Sequence, residues 1–195
     1  MSRPQVFVRQ VDEGLQQQLV ELWVANRMEA GSSPDATARL ASDGTLHTCL
    51  DRPEVTAFIA MSNDRPVGYL VLSDSTAGVF VDTPCVAIDQ LFVHNESRRH
   101  GVARQLLAAA ATHADRVGAD QIASNVPSQV RDANRFFARL GFIPTVVRRV
   151  TTPTALHRKL AGSVEQRYSL EQVLQRRRTA RGRAVRQASA AVRSG

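Results

Sequence analysis

Apolar and polar positions follow two periods along this chain, one of about two residues and one of about 3.6, so strands and amphipathic helices can be told apart. Val6-Phe7-Val8 reads as a short strand. After Asp12, Leu15, Leu19, Leu22, Trp23 and Met28 recur at helical spacing, which predicts a first helix with one apolar face. Gly31-Ser32-Ser33-Pro34 breaks it, and Ser33 before Pro34 starts a second helix carrying Ala38 and Leu40 and reaching toward Leu46 and Leu50. Residues 56–61 and 67–72 are strands joined by Asn63-Asp64-Arg65-Pro66, a hairpin. Residues 86–93 form a further strand, apolar at its centre apart from Asp89 and Gln90. A turn leads to a helix from about residue 102 to 117, with Ala103, Leu106, Leu107, Ala110, Ala114 and Val117 on one stripe and Gly118 at its end.

Residues 122–126 read as a short strand closed by Pro127. Residues 128–140 read as a helix with Val130, Ala133, Phe136, Phe137 and Leu140 inward and Gly141 past its end. Residues 142–150 and 154–159 look like two closing strands. The order predicts an α/β chain with a mixed sheet, in which residues 86–126 form a strand–helix–strand crossover. No repeat interrupts this order.

Charge changes the picture at one end. Residues 163–195 hold eight arginines and two glutamates, so they carry +6 of the formal +7 and leave the rest of the chain near neutral. Ser169-Leu170-Glu171-Gln172 reads as a capping box, so this Arg-rich tail is expected to be a short helix with a frayed end. Three roles stay open for it: a solvated extension, a docking helix or homodimer contact, or a contact with nucleic acid or ribosome. The tail has no interleaved aromatics, which weakens a single-strand reading. Two cysteines, Cys49 and Cys85, make no disulfide scaffold, and the five histidines lack metal-ligand spacing, so no metal is expected. No apolar run is long enough for a bilayer and the first residues lack a signal pattern, so no membrane contact and a cytoplasmic location are the expectations.

The candidate chemistry sits in the turn between the 86–93 strand and the helix after it. Arg98-Arg99-His100-Gly101-Val102-Ala103 opens a helix whose first N–H groups have no partner of their own. Those donors and the helix dipole suit an anion. Gly101 and Ala103 leave room for a phosphate to approach the backbone, and Arg98, Arg99 and Arg104 add positive charge. The pattern fits a pyrophosphate cradle without a Walker lysine.

Val93 to Ala103 also resembles the pattern V-x-P-x-x-R-G-x-G-x-G/A of the GNAT superfamily of acetyl-CoA-dependent N-acetyltransferases. Its core, [Q/R]-x-x-G-x-[G/A], is matched by Arg98, Gly101 and Ala103. Ala133, Phe136, Leu140, Gly141 and Phe142 are similar to the end of a later family helix, and Pro66-Val67-Gly68-Tyr69 to a family hairpin. The resemblance covers residues 5–160 and sets the 163–195 tail apart. It implies the GNAT fold, a mixed, mostly antiparallel twisted sheet whose central parallel strands splay, flanked by about four helices. It also implies acetyl-CoA as co-substrate and an amine as acceptor. The backbone of Leu91 and Val93 would pair with the pantetheine arm. An N–H near Leu91 or Phe92 would hold the thioester oxygen. Arg98, Arg99, His100, Gly101, Val102, Ala103 and Arg104 would cradle the pyrophosphate.

Asp89 stands where polyamine-type members carry their base, and simple alternation puts it on the face of Ala87 and Leu91. It reads either as the group that takes the amine proton or as a carboxylate paired with an arginine. Phe137 stands where the family usually has a tyrosine that protonates the leaving thiolate, and Val130 where it often has an asparagine. Loss of an unprotonated thiolate, protonation through water, or Ser128 as donor are the options left. A binding module that senses acetyl-CoA is the competing reading. Trp23 reads as core or as a wall of the acceptor cleft, and Cys85 as core.

Overall fold

The computed structural model describes residues 5–78, 81–127, 129–146 and 149–161, apart from the side chains of 76–78 and 81–82. The basic tail and Ser128 lie outside the described residues. Two compact units divide the chain, Met1–Phe136 and Phe137–Gly195.

The first unit is built on a five-stranded sheet in the order β1-β2-β3-β4-β5. β1 (Val6–Gln10), β2 (Val55–Ser62), β3 (Arg65–Gly78) and β4 (Val81–Val93) pair antiparallel in sequence order. β5 (Gln121–Ser124) lies parallel to β4, so the chain must cross over between them. α4 (Val102–Val117) is that crossover. The turn between β2 and β3 places Asn63 and Asp64 at positive φ, 48° and 60°, which these two residue types tolerate.

Each face of the sheet is covered by a helix. α1 (Glu13–Glu29) buries Leu15, Leu19, Leu22 and Trp23 against Ala57, Ile59, Met61, Tyr69 and Phe92. α4 covers the other face, burying Val102, Leu106, Ala110, His113 and Ala114. Leu70, Leu72, Val86 and Leu106 are fully inaccessible, each contributing about 1.5–3 kcal/mol by burial. His113 tolerates burial because both ring nitrogens are satisfied: Arg116 donates to Nδ1 at 2.8 Å, and Nε2 meets Asp74 Oδ1 at 2.9 Å. The expected second helix is two, α2 (Pro34–Ser42) and α3 (Thr45–Leu50), parted at Gly44 with φ 77°. Met28, expected inward, is exposed, and so are Val117 and Val130.

α5 (Arg131–Ala138) starts later and ends earlier than its pattern suggested. In the second unit, Phe137 packs edge-to-face on Phe142 with centroids 4.9 Å apart, and Gly141 takes φ 89° after the helix. Residues 154–159 are not a strand: residues 153–161 are helical. Thr152 caps that helix, its Oγ1 accepting the Ala155 N–H at 3.2 Å, and Pro153 occupies the first helical position. No strand occurs among the described residues after Ser124. Six helices are therefore present among the described residues, more than the four expected. The architecture is the mixed α/β sheet that the strand and helix order predicts, mostly antiparallel as the family resemblance implies.

Candidate functional site

The site begins with a fault in the β3–β4 ladder. Val71 pairs with Gln90 and Leu72 with Ile88, so Asp89 is an extra residue with no partner on β3. This is a β-bulge, which bends its strand and re-aims a side chain. Alternation is broken here: Leu91 shares a face with Leu70, whereas Ala87 shares one with Ser73. Asp89 therefore cannot lie on a common face with Ala87 and Leu91, as unbroken alternation predicted. Its carboxylate is exposed and has no hydrogen bond or ion pair among the described residues. Among the described residues no arginine pairs with Asp89.

The β4–β5 ladder ends at the same point. Its last pair is Ile88 with Ser124, after which β4 runs on to Val93 without β5 beside it. Pro127, three residues past the end of β5, has no N–H to continue pairing. The orientation of the free edge follows from the β3 register. His94 donates its N–H to Val67 at 2.9 Å, and Phe92 faces Tyr69 two residues away on each strand. Bonded and non-bonded pairs alternate in an antiparallel ladder, so Leu91 and Val93 turn their backbone groups to the open side. Phe92 turns its own toward β3, and its ring packs on Tyr69 in the α1-side core. The two parallel strands thus diverge at the bulge and leave a gap with free backbone donors and acceptors.

The predicted cradle lies at the end of this edge. A short 3₁₀ turn, Asn95–Ser97, leads to Arg98 and then to α4. Arg99 and Gly101 both take positive φ, 65° and 88°. At Gly101 a Cβ would meet nothing within 4 Å, so backbone conformation rather than crowding is what calls for glycine. Gly101 is the N-cap of α4 and supplies no side-chain bond, and no acid occupies the first turn. The first intrahelical bond is Gln105 N–H to Gly101 O at 3.2 Å. The N–H groups of Val102, Ala103 and Arg104 are therefore left for another acceptor. Arg99, His100 and Arg104 are exposed, and neither arginine has an ion-pair partner among the described residues. This fits an anion held by backbone donors, the helix dipole and two free cations.

Arg98 behaves differently from its neighbours. Its Nε donates to Val93 O at 2.9 Å and its guanidinium pairs with Glu29 at the end of α1. It anchors the turn to the strand end and to α1, with some of its charge already neutralised.

One polar chain near the bulge was not foreseen. Asn26 Nδ2 donates to Tyr69 Oη at 2.8 Å, and Tyr69 donates to Gln90 Oε1 at 2.6 Å. Tyr69 is fully buried, and burial raises its pKa from 10.0 to about 12. The apolar setting of Gln90 was the only signal in the sequence. Trp23 is core: it is buried, with the Arg27 guanidinium 5.7 Å from its ring centroid. Cys85 is likewise buried. No group of three or more His, Cys, Asp or Glu side chains could hold a metal among the described residues. No helix among them is long and apolar enough to cross a membrane.

Residues 17–142 match the model of the acetyltransferase (GNAT) family. No curated protein sequence matches the chain. Among solved structures it is similar to aminoglycoside N-acetyltransferase AAC(6')-Iy in complex with CoA, with TM-score 0.63 and 23% identity over 76% of this chain and 95% of that one. A ribosomal-protein-alanine N-acetyltransferase from Brucella melitensis biovar Abortus 2308 aligns with TM-score 0.60 and 16% identity, covering 76% and 99%. A transcriptional regulator from Bacillus halodurans C-125 gives 0.62 and 19%, again covering 76% and 99%. At these identities the structures establish a shared fold.

Proposed function

Because the chain belongs to the acetyltransferase (GNAT) family, we propose that it transfers the acetyl group of acetyl-CoA to a primary amine by direct attack at the β4 bulge. One observation carries this reading. The bulge at Asp89, the end of β4–β5 pairing and the uncapped start of α4 fall along one strand edge. A thioester laid along that edge would have donors at both ends and a free carboxylate beside it.

The pyrophosphate of acetyl-CoA would rest on the N–H groups of Val102, Ala103 and Arg104, with Arg99, His100 and Gly101 around it. Arg98 serves by holding the turn. The pantetheine arm would pair with Leu91 and Val93 in the manner of an added strand. Arg98 already occupies the carbonyl of Val93, which leaves Leu91 and the Val93 N–H for the arm. Of the two candidate oxyanion donors, the N–H of Leu91 is favoured, since that of Phe92 is turned to β3.

An amine of pKa ~10 arrives as the ammonium. Asp89, directly or through a water, takes one proton and frees the lone pair. The nitrogen attacks the thioester carbonyl carbon, the carbonyl oxygen gains negative charge, and the C–S bond breaks as that charge returns. The products are the amide, coenzyme A as thiolate, and two protons lost from the nitrogen. Phe137 has no proton to give, so the thiolate leaves as such or takes a proton from water. A thiol pKa of ~8.5 makes that route feasible near neutral pH. The acceptors named for the structural relatives, an aminoglycoside and a ribosomal-protein alanine, support an N-acetyl transfer without fixing the acceptor here. We assign the transferase to residues 5–160, around the matched 17–142, with 163–195 as an appendage.

The test mixes the protein with acetyl-CoA and a panel of primary amines and reads free coenzyme A thiol. Release that depends on the amine is the expected result. Acetyl-CoA binding with no release for any amine would move the reading to an acetyl-CoA sensor.

A further inference from the structure

The two faces of the sheet divide the approach to the bulge. α4, with the anion cradle at its N-terminus, covers the face of Leu70, Leu72 and Ile88. A cofactor entering from the start of α4 leaves the α1 face for the second substrate. Gln90 belongs to that face, since it pairs with Val71, which packs in the α1-side core with Tyr69. It is half-buried and immediately follows Asp89.

The hydrogen-bond chain fixes which end of the Gln90 carboxamide is free. A phenol has one proton. Tyr69 accepts from Asn26 and so gives that proton to Gln90 Oε1. The raised pKa of Tyr69 keeps the proton in place well above neutral pH. The oxygen of Gln90 is therefore occupied, and its Nε2 group, with two donors, has no partner among the described residues. It stays accessible to solvent, whereas the buried side-chain atoms left without a bond among the described residues are Gln18 Oε1 and Thr37 Oγ1. Among the described residues this neutral, pre-oriented donor pair next to the candidate base has no structural task of its own.

We infer that Gln90, held by Tyr69 and Asn26, is a specificity-determining residue that donates to an oxygen close to the reacting nitrogen of the acceptor. The acceptor class is then an amine with a neighbouring hydroxyl or carbonyl oxygen, as in an amino alcohol or an amino-acid amide, rather than a plain alkylamine. A carboxamide donor selects a lone pair and adds no charge, so it would not hold a second ammonium group. A site built around such a donor loses more when the partner oxygen is missing than it gains from apolar contact. The inference rests on the acetyl-transfer reading of the same site.

Three amines separate the cases: 2-aminoethanol, glycinamide and propylamine. Thiol release gives kcat/KM for each with the unaltered protein, Gln90→Glu, Gln90→Met and Tyr69→Phe. Calorimetry gives acetyl-CoA affinity for each protein. Gln90→Glu can still accept the Tyr69 proton but has lost both donors, and Gln90→Met has lost the whole amide. Each variant is compared with the parent for the same amine, so differences in amine basicity cancel. The expected result is a loss of about tenfold or more for at least one oxygen-bearing amine, chiefly through KM, against about twofold or less for propylamine. Tyr69→Phe should show a weaker form of the same selective loss, because it frees the carboxamide to rotate. The oxygen-bearing amine that suffers identifies hydroxyl or carbonyl as the partner. An equal loss for all three amines, or none, overturns the role of Gln90 while leaving acetyl transfer standing. No thiol release from any amine with the unaltered protein sinks the transfer reading, and this inference with it.

Discussion

Asp89 is the residue on which turnover is expected to hinge. Its isosteric change Asp89→Asn keeps the bulge geometry and removes the proton acceptor. Turnover should fall by ~10²-fold or more. Measured by thiol release across pH, near-parental rates would remove Asp89 from the mechanism. Its position in an apolar strand was legible in the sequence, but its surroundings were not. Alternation predicts a face only when the ladder is regular, and a bulge is a two-strand property. Tyr69 gives a second test, on stability. Its pKa is raised from 10.0 to about 12, so the folded state holds the proton more tightly than the unfolded chain. The sign follows: the stabilisation is complete below pH 10 and is lost as pH climbs toward 12. The loss should be ~2–3 kcal/mol at most. Denaturant midpoints taken from pH 9 to 12 should fall more steeply for the parent than for Tyr69→Phe.

At the scale of the element, α4 and its turn were the most legible stretch of the chain. A long apolar stripe bounded by two glycines leaves little choice, and α4 runs as predicted from Val102 to Val117. The helix at 153–161 is not legible from periodicity, because six residues of mixed polarity, 154–159, fit either period. Thr152-Pro153 is the local signal that starts it. The β3–β4 hairpin offers a prediction of its own. A Cβ at Gly68 would stand 2.7 Å from Phe92 O and 3.3 Å from Val93 Cγ2. Neither the backbone carbonyl nor the packed valine yields cheaply, so Gly68→Ala should cost ~1–3 kcal/mol. It should also weaken acetyl-CoA binding, because the displaced strand is the one with the free edge. Chemical denaturation and calorimetry read the two effects separately. A fully stable variant with unchanged affinity would mean that β4 can shift without cost.

For the whole molecule, binding and folding are linked. A ligand that holds only the folded form stabilises it by about 2.7 kcal/mol at a hundredfold excess over its Kd. Acetyl-CoA should therefore raise the melting temperature by several degrees. Coenzyme A should do the same, because its pyrophosphate meets the same turn. A melting curve blind to both would contradict the cradle at Arg98–Ala103.

The sequence by itself determined the order of strands up to β5, the turn between β4 and α4, and the resemblance that identified the cofactor. Each is written in local terms: a period, a glycine, a run of arginines. Only the tertiary structure decided that Asp89 stands at a bulge, that β4–β5 pairing stops at the residue before it, and that Arg98 is tied to Glu29. It alone joined Asn26, Tyr69 and Gln90, which are spread across 64 residues of chain from Asn26 to Gln90. Such features come from register and from contacts between elements, and no single segment of sequence encodes either. The physical reason is that a backbone bond or a buried side chain takes its partner from whichever strand or helix the sheet brings alongside it.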